Sequence, residues 1–96
     1  MKVKRESQDP IYSQLAAILR HRIEAGEFKP GMPIPPESEL IRTLKVSRVT
    51  VRQSVDLLVA EGLVVRKQGK GTFVCTPKIR ESLQYLRGLA ELLAER

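Results

Sequence analysis

The sequence has little cysteine and histidine and no long apolar run. The single Cys75 excludes an internal disulfide, and together with the single His21 it makes a zinc site of the usual ligands unexpected. No segment approaches the roughly 20 apolar residues that cross a bilayer, and residues 1–8 lack the apolar run of a secretory signal. The composition therefore favours a cytoplasmic protein with no metal and no cofactor.

The residue sets that enzymes use are also missing. His21 lies among charged residues of a predicted helix, and no nucleophile or partner is indicated for it. The segment "GKGT" has a superficial likeness to a nucleotide-binding loop. That loop needs Gly-x-x-x-x-Gly-Lys-Ser/Thr between a strand and a helix, whereas here Gly71 follows Lys70 in a strand-turn-strand context. We therefore do not expect an enzyme.

What the sequence does have is positive charge in two short blocks. The 96 residues suit one domain with a modest core, and 42% of them are hydrophobic. The net charge is +6, yet residues 9–41 are net acidic, with five acids and three cations. Residues 42–55 carry four cations and no acid, and residues 64–74 carry three cations and no acid. Such acid-free blocks indicate a polyanionic partner.

Helix and turn signals organise the first half of the chain. An apolar stripe within residues 9–26 predicts a helix that Asp9 caps and Gly26 ends, with Pro10 in its first turn. A proline- and glycine-rich turn follows, with a short edge strand predicted around residues 32–34. The segment "ESELIRTL" then predicts a second helix.

A third helix follows after a tight turn at Lys45-Val46. Ser47 is its predicted cap, and the helix is expected to end near Glu61, before Gly62. Its predicted inward stripe consists of Val51, Val55 and Leu58. Two helices joined by a tight turn form a helix-turn-helix unit, whose second helix can enter the DNA major groove.

Arg48 and Arg52 stand at the start of this third helix, where cations oppose the helix dipole by about 0.3–1 kcal/mol each. Arg52 shares a polar side with Val49, Gln53 and Asp56. A phosphate or a guanine edge at that end would make the cations favourable, because the arginine fork fits guanine O6 and N7. On the same helix start Val49 can meet a thymine methyl group, and hydroxyl side chains can reach phosphates.

Residues 63–75, "LVVRKQGKGTFVC", predict a β-hairpin with a glycine-rich tip. Its cations Arg66, Lys67 and Lys70 suit a wing that lies along a DNA backbone or in a minor groove. Gly69 permits positive φ and a close approach at the tip.

The tail is predicted to be helical with an apolar seam. Its members, spaced by four and three, are Ile79, Leu83, Leu86, Ala90 and Leu93. Such a face needs a cover, which is either the body of the domain, a second copy of the chain or a further domain. The favoured interpretation is an N-terminal piece of a longer regulator, and the rival is a complete short protein whose last helix dimerises.

The chain resembles the winged helix-turn-helix domain of the GntR family of bacterial transcription regulators. The blocks "PIYSQL", "GEFKPG", "PPESEL", "VSRVTVRQSVDLLVAEGLV" and "GKGTFV" carry this resemblance over about residues 10–74. It implies a dimer on a pseudo-palindromic operator, and the tail resembles the linker of the HutC-type branch. The resemblance places Arg48, Thr50 and Arg52 at bases or phosphates, and Gln68 and Gly69 in the minor groove.

Three positions depart from the family pattern. Ser38 stands where the family often has a DNA-contacting arginine, which weakens or removes that contact. Pro36 removes the usual hydroxyl cap of the second helix. Lys45 replaces a common glycine in the turn, which costs about 1 kcal/mol if that position needs positive φ, although the lysine can equally add a phosphate contact.

The sequence thus predicts an α+β fold, mainly α, with three helices, a β-hairpin wing and a C-terminal helix. The predicted segments are a flexible basic N-terminus at 1–8, the DNA-binding domain at 9–76, and a linker or dimerisation helix at 77–96. The candidate DNA-binding residues are Ser38, Ser47, Arg48, Val49, Thr50, Arg52, Lys67, Gln68, Gly69, Lys70, Gly71 and Thr72.

The expected function is sequence-specific binding of double-stranded DNA by a repressor that occludes the operator. Its release is expected to follow a small-molecule effector that binds outside this segment. The alternative is a winged-helix module for protein contacts, which the acid-free block of residues 42–55 disfavours. Salt-dependent affinity for DNA separates the two hypotheses.

Overall fold

This computed structural model describes residues 1–94, which contain four helices and one two-stranded antiparallel sheet. In chain order they are α1 (Ile11–Glu24), α2 (Glu37–Leu44), α3 (Arg48–Ala60), β1 (Val64–Lys67), β2 (Gly71–Val74) and α4 (Pro77–Ala94). The predicted fold class, mainly helical with a β-hairpin, is confirmed. Residues 95–96 of the predicted tail helix lie outside the described residues. None of the helices in residues 1–94 has the length and apolar character to cross a membrane.

The predicted cap of α1 is wrong. Pro10 occupies the cap position with extended backbone angles, and its carbonyl accepts hydrogen bonds from the N–H groups of Ser13 and Gln14, both at 3.1 Å. Asp9 therefore lies one residue too early for its carboxylate to cap the helix, and no side chain does so. The predicted end is confirmed, because Gly26 follows the helix with φ +83°.

The structure decides the backbone conformation of the turn between α2 and α3, which the sequence left open. Lys45 adopts left-handed angles (φ 54°, ψ 47°), so the strain expected of a residue other than glycine is present there. The Ser47 Oγ accepts a hydrogen bond from the Thr50 N–H at 3.1 Å, which confirms the predicted cap of α3. At the start of α2, Pro36 provides no side-chain cap, as predicted.

The hairpin pairs β1 with β2 in the register Val64↔Val74 through Lys67↔Gly71. The edge strand predicted around residues 32–34 is reduced to one bridge between Pro33 and Phe73. Backbone hydrogen bonds flank this bridge, and proline lacks the N–H that would extend it. The wing is therefore joined to the body on the β2 side.

The core is formed where the first three helices and the hairpin meet. The predicted inward stripe of α3 is confirmed, because its residues are fully buried. The fully buried aliphatic side chains of three or more carbons are Leu15, Leu19, Leu40, Val51, Val55, Leu58 and Val64. This packing attaches α3 to the core through its inward stripe and leaves the opposite side of the helix exposed.

The tail helix α4 differs, because none of its described residues is buried. Ile79 and Leu83 of the predicted seam are half-buried, whereas Leu86 and Leu93 are exposed. The large exposed apolar residues of α4 are Tyr85, Leu86, Leu89, Leu92 and Leu93. At 3.6 residues per turn they cover an arc of about 120°. We call this arc the exposed tail face.

Candidate nucleic-acid interface

The start of α3 presents two free cations. Arg48 and Arg52 are exposed, and neither forms an ion pair with any residue of the described range 1–94. The fold places Val49 beside them with 65% of its surface exposed, although it is an apolar residue. An exposed set of two arginines and a valine is chemically suited to base edges, which offer acceptors and thymine methyl groups.

Ser38 of α2 lies next to these arginines. It lines a shallow groove together with Glu37, Ile41, Arg48 and Arg52. The structure therefore brings together a candidate from α2 and two from α3 that are ten or more positions apart in the chain. Ser38 leaves this groove less basic than an arginine would.

The two hydroxyl candidates of α3 contact each other. The Ser47 hydroxyl donates a hydrogen bond to Thr50 Oγ1 at 2.8 Å while its oxygen accepts from the Thr50 N–H. Ser47 therefore has a complete structural role as the cap. Thr50 is half-buried at the edge of the exposed arginines.

The wing tip carries the remaining candidates. Lys70 N–H donates to the Lys67 carbonyl at 2.9 Å and closes the turn, in which Gly69 has φ +76°. The Nζ atom of Lys67 lies 4.9 Å from the centre of the Phe73 ring, so its stem follows the hairpin. The tip residues are all exposed and Thr72 is half-buried; the exposed ones are Lys67, Gln68, Gly69, Lys70 and Gly71.

Arg66 does not belong to the free charge of the wing, which corrects the sequence prediction. Its Nη1 lies 2.5 Å from the Asp56 carboxylate, and its Nε lies 3.7 Å from that of Glu37. Because side chains alternate along a strand, Arg66 shares the inner face of β1 with Val64 and points toward α3. This alternation is the sequence signal that could have identified it.

The N-terminal segment makes contacts that sequence reasoning missed. Arg5 Nη2 donates to the carbonyl of Lys45 at 2.6 Å and to that of Leu44 at 3.4 Å, at the C-terminal end of α2. The Gln14 side chain bonds the backbone N–H and carbonyl of Lys4, and Val3 packs against the core. The helix dipole favours a cation at a helix C-terminus. No sequence pattern predicts that Arg5 would find its acceptor 40 positions away in the chain.

Two observations concern metal ligands and the cysteine in the described residues. No group of three His, Cys, Asp or Glu side chains within residues 1–94 could hold a metal ion. Burial raises the pKa of the Cys75 thiol, and the nearby Arg80 opposes this only in part. A buried thiol with a raised pKa is a poor nucleophile.

The helix-turn-helix of α2 and α3, followed by the β1–β2 wing, defines a winged helix-turn-helix domain. The model of the family "Bacterial regulatory proteins, gntR family" matches residues 11–74. The chain belongs to this family, and it is a DNA-binding domain of that type.

Curated relatives agree with this assignment. The HTH-type transcriptional repressor NagR of Bacillus subtilis is 42% identical over 96 residues, which is 100% of this chain and 40% of NagR. The histidine utilization repressor of Pseudomonas putida is 37% identical over 91 residues, or 95% of this chain and 37% of that protein. The chain thus spans about two fifths of the length of these relatives.

Solved structures agree as well. The DNA-binding domain of AraR in complex with operator ORX1 matches with a TM-score of 0.73 and 33% identity, over 78% of this chain and 95% of that one. YtrA from Sulfolobus acidocaldarius, a GntR-family transcription factor, matches with a TM-score of 0.72 and 36% identity, over 92% of this chain and 95% of that one.

Proposed function

We propose that this chain reads a double-stranded operator with the start of α3 in the major groove and the wing in the minor groove. The observation that carries the proposal is the pair of exposed, unpaired arginines, Arg48 and Arg52, at a helix start that gains no stability from them. The AraR domain, which is similar over most of this chain, was solved with an operator.

Each part of the interface has a chemical task in this proposal. Arg48 and Arg52 bind guanine edges or phosphates, and Val49 contacts a thymine methyl group. Ser38, Ser47 and Thr50 lie at the margin, where hydroxyl groups reach phosphates. To donate to a phosphate, the Ser47 hydroxyl would exchange its Thr50 Oγ1 partner for a phosphate oxygen. The wing supplies phosphate contacts through its lysines and a minor-groove contact through its tip; these residues are Lys67, Gln68, Gly69, Lys70, Gly71 and Thr72.

We further propose that the whole regulator represses transcription as a homodimer in the cytoplasm. Several relatives are named as repressors, which supports occlusion of an operator without any catalysed reaction. A dimer reads two half-sites about 34–36 Å apart, one turn of DNA. The effector would bind outside residues 1–96, because the relatives are longer than this chain.

The experiment is selection of bound sites from random-sequence duplexes, followed by affinity measurements at several salt concentrations. We expect one enriched sequence and an affinity that falls steeply with salt. Arg48→Ala and Arg52→Ala should weaken binding to the selected duplex. Arg22→Ala is a charge-matched control, because Arg22 lies on α1 and pairs with Glu27 in the turn after that helix.

A chain that selects no sequence and binds duplexes without salt dependence would contradict the proposal. That result would favour the alternative, a winged-helix module that contacts proteins. If Arg22→Ala weakens binding to the selected duplex as much as Arg52→Ala does, the affinity depends on net charge alone and not on the position of Arg52.

The exposed tail face bears on the oligomeric state of this segment. We favour cover by the remainder of a longer regulator, and we therefore expect a monomer or weak dimer at micromolar concentration. Sedimentation distinguishes this interpretation from a face covered by a second copy of the chain. A tight dimer that dissociates when Leu86 and Leu93 both become Glu would instead assign this face to a second copy of the chain.

A further inference from the structure

Arg66 joins three elements that carry the candidate interface. Within residues 1–94 it is the only side chain whose polar contacts connect the wing to both α2 and α3. We propose that Arg66 is a positioning residue that holds the wing at a set angle to α3 and does not itself contact DNA. This inference rests on the proposed DNA contacts of α3 and the wing.

The contacts of Arg66 involve all three nitrogen atoms of the guanidinium, two of them through hydrogen bonds. Nη1 lies 2.5 Å from Asp56 Oδ1, and Nη2 donates to the backbone carbonyl of Arg52 at 3.3 Å. Nε is buried without a hydrogen-bond partner and faces Glu37 Oε2 at 3.7 Å. A bidentate contact with a phosphate would compete for the Nη atoms with the Asp56 and Arg52 contacts.

On the β1 side of the wing, Arg66 provides the polar contact to the helices. Its strands are four residues each, and the tip from Lys67 to Gly71 is exposed throughout. A two-stranded hairpin is marginally stable by itself, so its direction depends on what holds the inner half. Val64 and Val74 anchor it by burial, and on the β2 side the Ile34 N–H donates to the Thr72 carbonyl at 2.9 Å. Arg66, which pairs with Thr72 in the hairpin, adds a side-chain contact at the same level on the β1 side.

Arg66 also offsets two carboxylates near the arginines that we assign to DNA. Asp56 lies on α3 one turn beyond Arg52, and Glu37 lines the groove beside Arg48. Unpaired, these two acids would repel phosphates that approach this surface. The same guanidinium therefore orients the wing and reduces an unfavourable charge.

The test uses the 96-residue chain and a duplex that the unchanged chain selects from random-sequence DNA. Arg66→Met is compared with the double variant Lys67→Met/Lys70→Met and with the triple variant that combines all three changes. If Arg66 positions the wing, Arg66→Met loses protection of the minor groove from hydroxyl radicals. Protection of guanine N7 from methylation in the major groove persists, because α3 is held by the core.

Salt dependence gives the second readout. A released wing loses both lysine contacts, so Arg66→Met and the double variant should each lower the salt slope by about two units. The triple variant should then bind no more weakly than the double variant. A direct phosphate contact of Arg66 gives a different result: the salt slope of Arg66→Met falls by about one unit, minor-groove protection stays intact, and the affinity losses add in the triple variant. That result overturns the proposal.

Asp56→Asn keeps the proposal testable if Arg66→Met does not fold, because Asp56 is an exposed side chain of α3. Charge alone predicts that loss of a carboxylate tightens binding to every duplex. The positioning role predicts weaker minor-groove protection and a smaller ratio of operator to unrelated-duplex affinity. Tighter binding to both duplexes with unchanged protection overturns the proposal.

The outcomes also separate this inference from the proposed function. An unchanged chain that binds no duplex contradicts the proposed function and removes the basis of the inference. An unchanged chain that protects both grooves, with minor-groove protection insensitive to Arg66→Met and Asp56→Asn, overturns the inference alone.

Discussion

The helices α3 and α4 are both amphipathic, and they differ in which side the fold covers. In α3 the apolar side is fully buried and the exposed part near its start is cationic. In α4 no described residue is buried, and the exposed tail face is apolar. We therefore expect α3 to bind a polyanion and α4 to bind a protein surface, because cations attract polyanions and apolar surface favours a protein partner.

The largest expected difference between the two helices is in stability. Leu58 of α3 is 0% exposed and Leu89 of α4 is 39% exposed. Leu58→Ala should lower the free energy of unfolding by about 2–5 kcal/mol, because it opens a cavity in the core. Leu89→Ala should lower it by less than about 1 kcal/mol. Urea unfolding followed by circular dichroism measures both, and equal losses would mean that α4 is part of the cooperative core.

The next difference concerns DNA affinity. Arg52→Ala should cost about 1–3 kcal/mol on the selected duplex and relax base preference at one position per half-site. Arg87→Ala makes the same charge change on α4, where Arg87 donates to the carbonyl of Ala60 at 2.7 Å. It should leave base preference unchanged. If Arg52→Ala binds the selected duplex as tightly as the unchanged chain, α3 is not the recognition helix.

The caps of the two helices provide a smaller contrast. Ser47 caps α3, and Thr76 Oγ1 accepts from the Ile79 N–H at 3.2 Å at the start of α4. Ser47→Ala should lower the free energy of unfolding of the whole domain by about 1 kcal/mol. Thr76→Ala should mainly speed amide exchange in the first turn of α4. A global loss of the same size from Thr76→Ala would show that α4 unfolds together with the core.

The smallest expected effects come from two exposed apolar residues of similar exposure. Val49 of α3 is 65% exposed and Leu92 of α4 is 62% exposed. Val49→Ser and Leu92→Ser should each change the free energy of unfolding by less than about 0.5 kcal/mol. Only Val49→Ser should weaken operator binding, by less than Arg52→Ala does. Equal operator affinities for the two variants would remove Val49 from the interface.

Local signals in the sequence predicted the secondary structure well. The helix boundaries at Ser47, Gly26 and Gly62 depend on contacts within one helical turn. Neighbouring residues in the sequence are therefore enough to predict where these helices begin or end. The failure at Asp9 is also local, because the extended backbone of Pro10 takes the cap position itself. The sequence could not decide whether Lys45 is a strained residue with positive φ or mainly a further phosphate contact. Its backbone angles depend on how α2 and α3 pack.

The sequence predicts which cations belong to the candidate site, but it does not predict which residues those cations contact. Arg66 was assigned to the wing charge, yet its acidic partners lie 10 and 29 positions away in the chain. Arg5 finds its acceptors 39 and 40 positions away. A pattern of residue types contains no distances, so it cannot say which charges neutralise each other.

The sequence alone therefore determined the helices, the turn, the hairpin and the excess of positive charge, because these follow from hydrophobic period, turn chemistry and composition. Only the tertiary structure decided which cations stay free. It leaves Arg48 and Arg52 without an ion pair in residues 1–94 and gives Arg66 two. The physical reason is that ion pairing depends on the distance between groups, and for groups far apart in the chain the packing of α2, α3 and β1 sets that distance.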